Sequence, residues 1–436
     1  MKYTSQQIFA VAAVLVPLLF LAGCAAERQV DAPAVIRPMD SLLDQKDYFR
    51  LERQLAVHSA ELSESRRLYF AAIVDNAFNR NRACMSRVDS VIRMTSPGLS
   101  DSLVVNLLRY QDESYFRTGQ YAAAARVDSL LLGRYKKAMD SGTRADIRND
   151  LLIRNALRDL PPQEVTPGAG TEVPWNHDGI GLIEFPIRLG NQTVNAIFDT
   201  RANISSVTRT YAEKLHLRVL DVSYDESSGM TGIHFKVGLG VADSLWVGSV
   251  VVRHAIFQVM PDSILYIAPI RFQLNLIVGY PVIAGLQEVR LTANGKLAIP
   301  SEPVPADLHN LALDRLDPVI RLASGRDTLL FDFDSGADNT VLYSGYFQRH
   351  RAAVLRSGIE KKTSLGGAGG VKTNKTYVLP VFSLSLGKQT VAIDSVAVLT
   401  EKIFPGERLS GNLGRDFMSR FSRLVIDFKY MYVQGQ

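Results

Sequence analysis

The sequence is poor in cysteine, with only Cys24 and Cys84 among 436 residues. Apart from Cys24, one cysteine remains, so we expect no intramolecular disulfide in the mature chain. Cys84 lies in a helical pattern and is expected to be a small core residue. The seven histidines are scattered singly, and no His or Cys pair has the spacing of a zinc site. We therefore expect no metal ion and no cofactor.

The sequence also lacks the patterns of several common functional classes. No GxSxG motif occurs, so a nucleophile elbow of the α/β-hydrolase type has no support. Acidic residues alternate with basic ones throughout, and the net charge is only +5, which excludes a basic stripe for nucleic acid. With 47% hydrophobic and 21% charged residues, the chain has the composition of globular protein and the length of two or three domains.

One apolar run stands out at the start of the chain. No charged residue occurs from position 8 to position 23, which is shorter than the roughly 20 residues that cross a bilayer as a helix. A short apolar run behind a basic start is typical of a secretory signal. Its end, Leu21–Cys24, resembles the lipobox of bacterial lipoproteins. The resemblance implies cleavage before Cys24, lipid attachment to Cys24 and a location on a membrane of the bacterial cell envelope.

Two other interpretations of this run remain open. An ordinary signal peptide could precede a chance cysteine, or the run could be retained as a transmembrane anchor. Pro17 and the short length argue against the anchor.

The pattern along the chain divides it into six segments. We interpret them as a signal peptide (1–23), a tether (24–36), a helical domain (37–160), a linker (161–175), a first β lobe (176–300) and a second β lobe (310–434). Apolar spacings of three and four indicate helices, whereas a period of two between glycine-containing turns indicates strands. These periods predict all-α helical hairpins followed by an all-β region, and the division of the β region into two lobes is what the repeat and the resemblance described below imply.

The helical segment contains an internal repeat. The tetrapeptide Arg-Val-Asp-Ser begins at Arg87 and occurs again from Arg126. Such a period is typical of stacked helical hairpins. The piece Gly119–Ala124 resembles the turn of a tetratricopeptide repeat, and a generic helical bundle is an equal alternative. In either case, we expect the segment to bind a protein partner.

A second repeat carries the candidate chemistry. Asp199 ends an apolar run and is followed by Thr-Arg-Ala, and Asp334 later in the chain is followed by Ser-Gly-Ala. Gly279 follows Asp199 at the same spacing at which Gly414 follows Asp334. Each copy also has a glycine-bearing hairpin between these elements. Three elements in the same order at matching spacings indicate a duplication.

The duplicated pattern resembles the aspartic proteases, in particular a retropepsin-like pair of lobes in one chain, over roughly residues 180 to 434. The resemblance implies that Asp199 and Asp334 share one proton and activate a water molecule to cleave a peptide or protein substrate. It also implies loops supported by Thr200, Ser335 and Gly336, and flaps formed around Gly229, Gly232, Gly367 and Gly369. A non-proteolytic β-sandwich is the rival interpretation.

The first copy departs from the family pattern at Arg201, where the second copy has Gly336. An arginine there would take space from the substrate backbone, and its charge would favour ionisation of both carboxylates. Two functions therefore remain open, an active aspartic-type endopeptidase and a degenerate peptide-binding or scaffolding protein. A separation of the two carboxyl groups above about 10 Å would exclude a paired site.

Overall fold

The computed structural model describes residues 30–95, 98–166, 168–227, 233–367, 370–404 and 406–436. The predicted signal peptide, with Cys24, and the flap candidates Gly229, Gly232 and Gly369 lie outside these residues. Within the described ranges, no helix combines the length and the apolar character needed to span a bilayer. The predicted order of a helical region followed by a two-lobed β region is confirmed.

The helical region is a series of α-helices. They are α1 (Pro33–Asp44), α2 (Tyr48–His58), α3 (Glu64–Ala77), α4 (Asn81–Arg93), α5 (Asp101–Arg117), α6 (Tyr121–Arg134) and α7 (Ser141–Leu157). Helix α1 begins inside the segment interpreted as a tether. Side chains cap the N-termini of several helices. Asp47 accepts from the Arg50 N–H at 2.9 Å, and Asp140 accepts from the Thr143 N–H at 2.8 Å. Cys84 is fully buried between these helices.

Helices α3–α4 and α5–α6 form two hairpins with similar turns. Asn79 and Gly119 adopt φ values of 58° and 70°, in the left-handed region that glycine and asparagine tolerate best. The next residue in each turn donates back to the preceding helix, Arg80 to Asp75 O at 2.7 Å and Gln120 to Tyr115 O at 2.8 Å. The two hairpins therefore use the same chain reversal.

The first lobe is built on a nine-stranded sheet. Its strands are β1 (Glu164–Thr166), β3 (Asn176–His177), β4 (Ile183–Leu189), β5 (Gln192–Phe198), β6 (Ser205–Thr208), β7 (Arg218–Ser227), β8 (His234–Val247), β9 (Val250–Met260) and β12 (Leu276–Val278). Two short helices, α8 (Arg209–Lys214) and α9 (Tyr280–Gly285), and the small pair β10 (Tyr266–Ile267) and β11 (Phe272–Gln273) complete it. Burial alternates along β4, as expected for a strand with one face in the core.

The second lobe repeats this plan in an eight-stranded sheet. Its strands are β15 (Leu311–Asp314), β16 (Asp317–Ser324), β17 (Asp327–Phe333), β18 (Val341–Leu342), β19 (Ile359–Gly367), β20 (Gly370–Leu386), β21 (Gln389–Leu399) and β22 (Gly411–Leu413). Helices α10 (Ser344–Ser357) and α11 (Arg415–Met418) follow β18 and β22, as α8 and α9 follow β6 and β12. The two lobes therefore share their order of elements.

A third sheet joins the lobes. It contains β2 (Thr171–Pro174), β13 (Glu288–Thr292), β14 (Lys296–Ile299), β23 (Arg423–Asp427) and β24 (Tyr432–Gly435), in the order β2-β14-β13-β23-β24. Strand β13 of the first lobe pairs with β23 of the second. The segment interpreted as a linker differs from that interpretation, because it contains β1, which pairs with β9, and β2, which pairs with β14.

The helical region packs against both lobes. Lys46 and Tyr48 donate to Asp314, in the β15–β16 turn of the second lobe, at 3.0 and 2.7 Å. On α7, Asn149 donates to Asp225 O at 2.9 Å and accepts from the Asp225 N–H at 3.3 Å, so that it holds strand β7 of the first lobe. A cavity of about 300 Å³ lies where the helices meet the first lobe, and neither Asp199 nor Asp334 lines it.

Candidate active site

Each candidate aspartate directly follows a central strand. Asp199 follows β5, which pairs in parallel with β12, and Asp334 follows β17, which pairs in parallel with β22. The Asp199 N–H donates to Val278 O at 3.1 Å, and the Asp334 N–H donates to Leu413 O at 3.1 Å. Both carboxylates therefore emerge from the same position on the same backbone arrangement.

The two glycines that follow β12 and β22 pack beneath the loops. A β-carbon on Gly279 would lie 2.4 Å from Ala202 O, and one on Gly414 would lie 2.7 Å from the backbone of Asn339. Only glycine fits so close an approach of two backbones. The two glycine N–H groups donate to the hydroxyls of Ser205 and Thr340 at 3.0 and 3.1 Å. The matched spacing noted in the sequence thus corresponds to one physical contact in each lobe.

Thr200 and Ser335 join the two loops across the lobe interface. The Thr200 hydroxyl donates to Phe333 O at 2.7 Å, and the Ser335 hydroxyl donates to Phe198 O at 2.8 Å. Each hydroxyl also accepts the N–H of the other residue, at 2.9 and 3.0 Å. Both side chains are fully buried. Four reciprocal hydrogen bonds, shielded from water, therefore hold the loops face to face.

The two carboxylates lie close together on this support. Asp199 Oδ2 is 2.5 Å from the position that a β-carbon of Gly336 would take. The Gly336 N–H donates to Asp334 Oδ1 at 3.0 Å. Standard bond lengths separate the nitrogen and the β-position of a residue by roughly 2.5 Å, so the two carboxylates lie within about 8 Å of each other. The separation of the two carboxylates is therefore below the value of about 10 Å that would exclude a paired site.

The surrounding donors and charges determine the protonation of the pair. Asp199 Oδ1 accepts the N–H groups of Arg201 and Ala202 at 2.9 and 3.1 Å, and Asp334 Oδ2 accepts the Asn412 side-chain amide at 2.9 Å. Burial raises the pKa of Asp199 to about 7, and the negative charge of Asp334 adds to that rise. A substantial fraction of Asp199 is therefore protonated near neutral pH.

The Arg201 side chain reaches two acids of the second lobe. Its Nη2 lies 3.3 Å from Asp332 Oδ1, and its Nε lies 3.7 Å from Asp317 Oδ1. The Tyr343 hydroxyl donates to the other oxygen of Asp332 at 2.9 Å. The guanidinium is thus paired with two carboxylates of the second lobe, and its charge lowers the pKa of Asp199 less than the backbone N–H groups do.

Sequence reasoning missed Asp317 and Asp332. The duplication could have found them, because the shift that superimposes Asp334 on Asp199 also aligns Asp332 with Ile197 and Asp317 with Leu182. Two apolar positions of the first copy are therefore acidic in the second. Burial raises the pKa of Asp317 to about 7, although the charge of Arg201 opposes the rise.

The candidate flaps are the hairpins β7–β8 and β19–β20. Gly367 ends β19 and pairs with Gly370, the first residue of β20. A β-carbon on Gly370 would lie 3.4 Å from the Ile233 side chain, which directly precedes β8. The described ends of the two hairpins therefore approach each other. The other three candidates lie outside the described residues.

Comparison with known families bears on the first lobe. Residues 185–281 match the family model of the aspartyl proteases. The match runs from β4 to the start of α9 and includes Asp199, Thr200 and Gly279. No curated protein matches the chain. The chain therefore contains an aspartyl protease-like domain, and this domain includes the loop that has Arg201 in place of glycine.

Proposed function

We propose that the protein is an aspartic-type endopeptidase in which Asp199 and Asp334 form the catalytic dyad. The observation that carries the proposal is the reciprocal bonding of Thr200 and Ser335, which holds two acidic loops face to face. Two carboxylates this close hold one proton more tightly than isolated side chains do. The raised pKa of Asp199 agrees with such sharing.

The reaction follows from the single shared proton. The ionised carboxylate removes a proton from a water molecule lying between the two, and the water oxygen attacks the carbonyl carbon of the peptide bond. The protonated carboxylate donates a hydrogen bond to the carbonyl oxygen as that oxygen gains negative charge. The carboxylate that took the proton from water then passes it to the nitrogen of the leaving amine, and the C–N bond of the peptide breaks. The two hairpins close over the peptide and exclude bulk water.

The position of Arg201 is compatible with this chemistry. A guanidinium beside the dyad would favour two ionised carboxylates and remove the shared proton. In the structure, its charge faces Asp332 and Asp317 instead, and the pKa of Asp199 remains raised. The departure from the family pattern thus leaves the electrostatic requirement for catalysis in place.

A second candidate function is peptide binding without cleavage. The observation in its favour is steric: at Gly336, a β-carbon would collide with Asp199, and Arg201 has a β-carbon at the corresponding place in the first loop. The approach to the dyad from that side is therefore narrower than in a site with two glycines. In this function, the protein would hold peptides in the cleft and present them to a partner of the helical region.

Hydrolysis of a mixed peptide library across pH distinguishes the two functions. If the protein is a peptidase, the wild type cleaves, and Asp199→Asn and Asp334→Asn each abolish cleavage. Arg201→Gly is not needed to create activity, because the guanidinium of Arg201 is paired with Asp332 and Asp317. If no variant cleaves and the wild type still binds the peptides, the binding function replaces the peptidase function.

We further propose that the mature chain is anchored to a membrane of the cell envelope through lipid on Cys24, and that the helical region binds a protein partner. The Leu21–Cys24 motif supports the anchor. Replacement of Cys24 by Ala should move the protein out of the washed membrane fraction or leave an uncleaved precursor. Unchanged membrane association of mature-length protein would contradict the lipid anchor.

A further inference from the structure

The internal duplication allows the residues around the dyad to be compared between the two lobes, position by position. At the positions that correspond to Asp317 and Asp332, the first lobe has Leu182 and Ile197, and both are buried and apolar. At the corresponding places around Arg201, the second lobe has Asp317 and Asp332. These three positions therefore differ between the copies, and in the second arrangement the cation of Arg201 is paired with both acids.

These three side chains lie next to the dyad. Asp332 precedes Asp334 by two positions at the end of β17, and such residues face the same side of a strand. Arg201 follows Asp199 by two positions in the loop that carries the dyad. The charge of Asp334 contributes to raising the pKa of both Asp317 and Asp332, which also requires proximity. The group therefore borders the place where a substrate side chain next to the cleaved bond would lie.

Two of the three side chains are partly open to solvent, whereas Asp332 is buried, and the ion pairs of Arg201 are long. The side chains of Arg201 and Asp317 are 24% and 31% exposed. Charge-assisted hydrogen bonds are commonly about 2.7–2.9 Å long, whereas the two ion pairs of Arg201 measure 3.3 and 3.7 Å. Among the described residues, Arg201 Nε has no hydrogen-bond acceptor. Arg201 is thus attracted to this place without being fixed in it by a bidentate contact.

The Asp332 carboxylate is held more firmly than the guanidinium, and the backbone of Asp317 lies beside a supported turn. Asp332 is fixed by the Tyr343 hydroxyl. Asp317 follows the turn that the helical region holds through Lys46, Tyr48 and Asp314. Two positioned acids face one arginine, and the dyad adds a further negative charge. A basic group that approaches is therefore attracted, and an acidic group is repelled.

We propose that Asp317 and Asp332 form an acidic subsite that binds a lysine or arginine side chain of the substrate next to the cleaved bond. In the protein without substrate, Arg201 occupies this subsite. This proposal rests on the proposed peptidase function, which gives the position of the substrate in the cleft. It adds the class of substrate side chain that is recognised. The corresponding subsite of the first lobe, with Leu182 and Ile197, takes an apolar side chain.

The test compares matched peptides that carry Lys, Leu or Glu at each of the two positions flanking the cleaved bond. For the wild type, we expect kcat/KM at one of these positions to be about tenfold higher with Lys than with Leu, and lowest with Glu, as for one charge-assisted contact. Asp317→Leu, which introduces the residue of the first lobe, should reverse the preference between Lys and Leu. Asp317→Asn, which keeps the shape, should remove it.

Two further variants make the result specific. Asp327→Asn removes an exposed acid at the other end of β17 and should leave the preference unchanged. Arg201→Gly removes the internal occupant and should lower KM for the Lys peptide more than for the Leu peptide. Equal preference of wild type and Asp317→Leu, or a wild-type preference for Glu, would overturn the acidic subsite.

Binding separates failure of the subsite from failure of the peptidase. Fluorescence anisotropy of labelled Lys, Leu and Glu peptides with the Asp199→Asn variant measures recognition without cleavage. If nothing is cleaved but Lys peptides bind most tightly and Asp317→Leu removes that difference, the subsite stands and the peptidase function fails. Cleavage with no Lys preference in either assay leaves the peptidase and rejects the subsite.

Discussion

The two lobes have nearly identical backbones around the dyad and different side chains beside it. The hydrogen bond from the N–H of Asp199 or Asp334 to the adjacent strand measures 3.1 Å in both lobes. The glycine N–H bonds to Ser205 and Thr340 measure 3.0 and 3.1 Å. Where a backbone contact requires a particular residue, the copies agree. At Arg201 no backbone contact requires a particular residue, and there the two copies differ. They also differ at the two positions whose acids neutralise the charge of Arg201.

The candidate flaps differ in a second way. Strand β7 of the first lobe is held by Asn149 of α7, and Tyr224 on this strand is buried in a cluster with Phe116 and Leu157 of the helical region. Strand β19 of the second lobe is exposed along most of its length. The helical region therefore fixes one hairpin and leaves the other on the surface. Opening of the cleft should accordingly involve mainly the β19–β20 hairpin.

Removal of either carboxylate should have the largest effect. Asp199→Asn or Asp334→Asn eliminates the shared proton, and we expect kcat/KM to fall by about 10³-fold or more, as for loss of a general acid or base. Initial rates with a cleaved library peptide measure this. Asp338→Asn, an exposed acid in the same loop as Asp334, is the control and should retain activity. Two variants with unequal losses, one of them near wild-type rate, would contradict a dyad.

Exchange of the three divergent side chains tests whether they form one unit. Arg201→Gly alone leaves Asp317 and Asp332 without their cation, and we expect the free energy of unfolding to fall by about 3 kcal/mol. The triple variant with Asp317→Leu and Asp332→Ile, which gives the second lobe the residues of the first, should recover most of that loss. Urea unfolding at neutral pH measures both.

The control for this exchange is Arg420→Ala, which breaks the exposed ion pair with Asp394 and should cost less than about 1 kcal/mol. Additive losses in the triple variant would show that the three positions diverged independently. In that case, the differences between the lobes at these positions would no longer support one acidic subsite.

The raised pKa values predict how activity and stability depend on pH. Because Asp199 has a pKa of about 7 in the folded protein, the shared proton is lost as pH rises through 7, and kcat/KM should decline there. The folded state also binds more protons than the unfolded state between about pH 4 and 7, so the free energy of unfolding should decrease as pH rises across that range. Asp199→Asn should reduce this slope and stabilise the protein at pH 7 to 8. An unchanged slope in the variant would contradict the raised pKa.

The sequence was sufficient for the framework of the site because that framework depends on local rules. An apolar strand before each aspartate and a glycine at a matched spacing after it reflect one close contact of two backbones, and no other residue satisfies it. The period-two pattern predicted the β region and the duplication predicted its two lobes, and both predictions are confirmed. The division into helices and strands followed from hydrophobic periodicity alone.

The remaining features depend on contacts between distant segments. The prolines and glycines of segment 161–175 suggested a linker, but pairing with β9 and β14 makes it β1 and β2. Arg201 was recognised as a departure, yet its partners Asp317 and Asp332 lie in the other lobe and follow no motif. The hydrogen bonds between α7 and β7 come from one asparagine, Asn149, that no helical pattern distinguishes. These contacts follow from no motif, although alignment of the two copies singles out Asp317 and Asp332.

The smallest expected effect concerns that asparagine. Asn149→Ala removes two exposed hydrogen bonds to Asp225, and the free energy of unfolding should change by less than about 1 kcal/mol. The local effect should be larger than the global one, because the Asp225 N–H loses its acceptor. We expect its hydrogen exchange to accelerate by about tenfold, as for local opening of a hairpin released from its support.

Lys375→Ala breaks the exposed Lys375–Glu360 ion pair of the second hairpin and should leave exchange at Asp225 unchanged. If Asn149→Ala also leaves it unchanged, the helical region does not restrain the first flap through this contact, and the two hairpins would differ only in their burial.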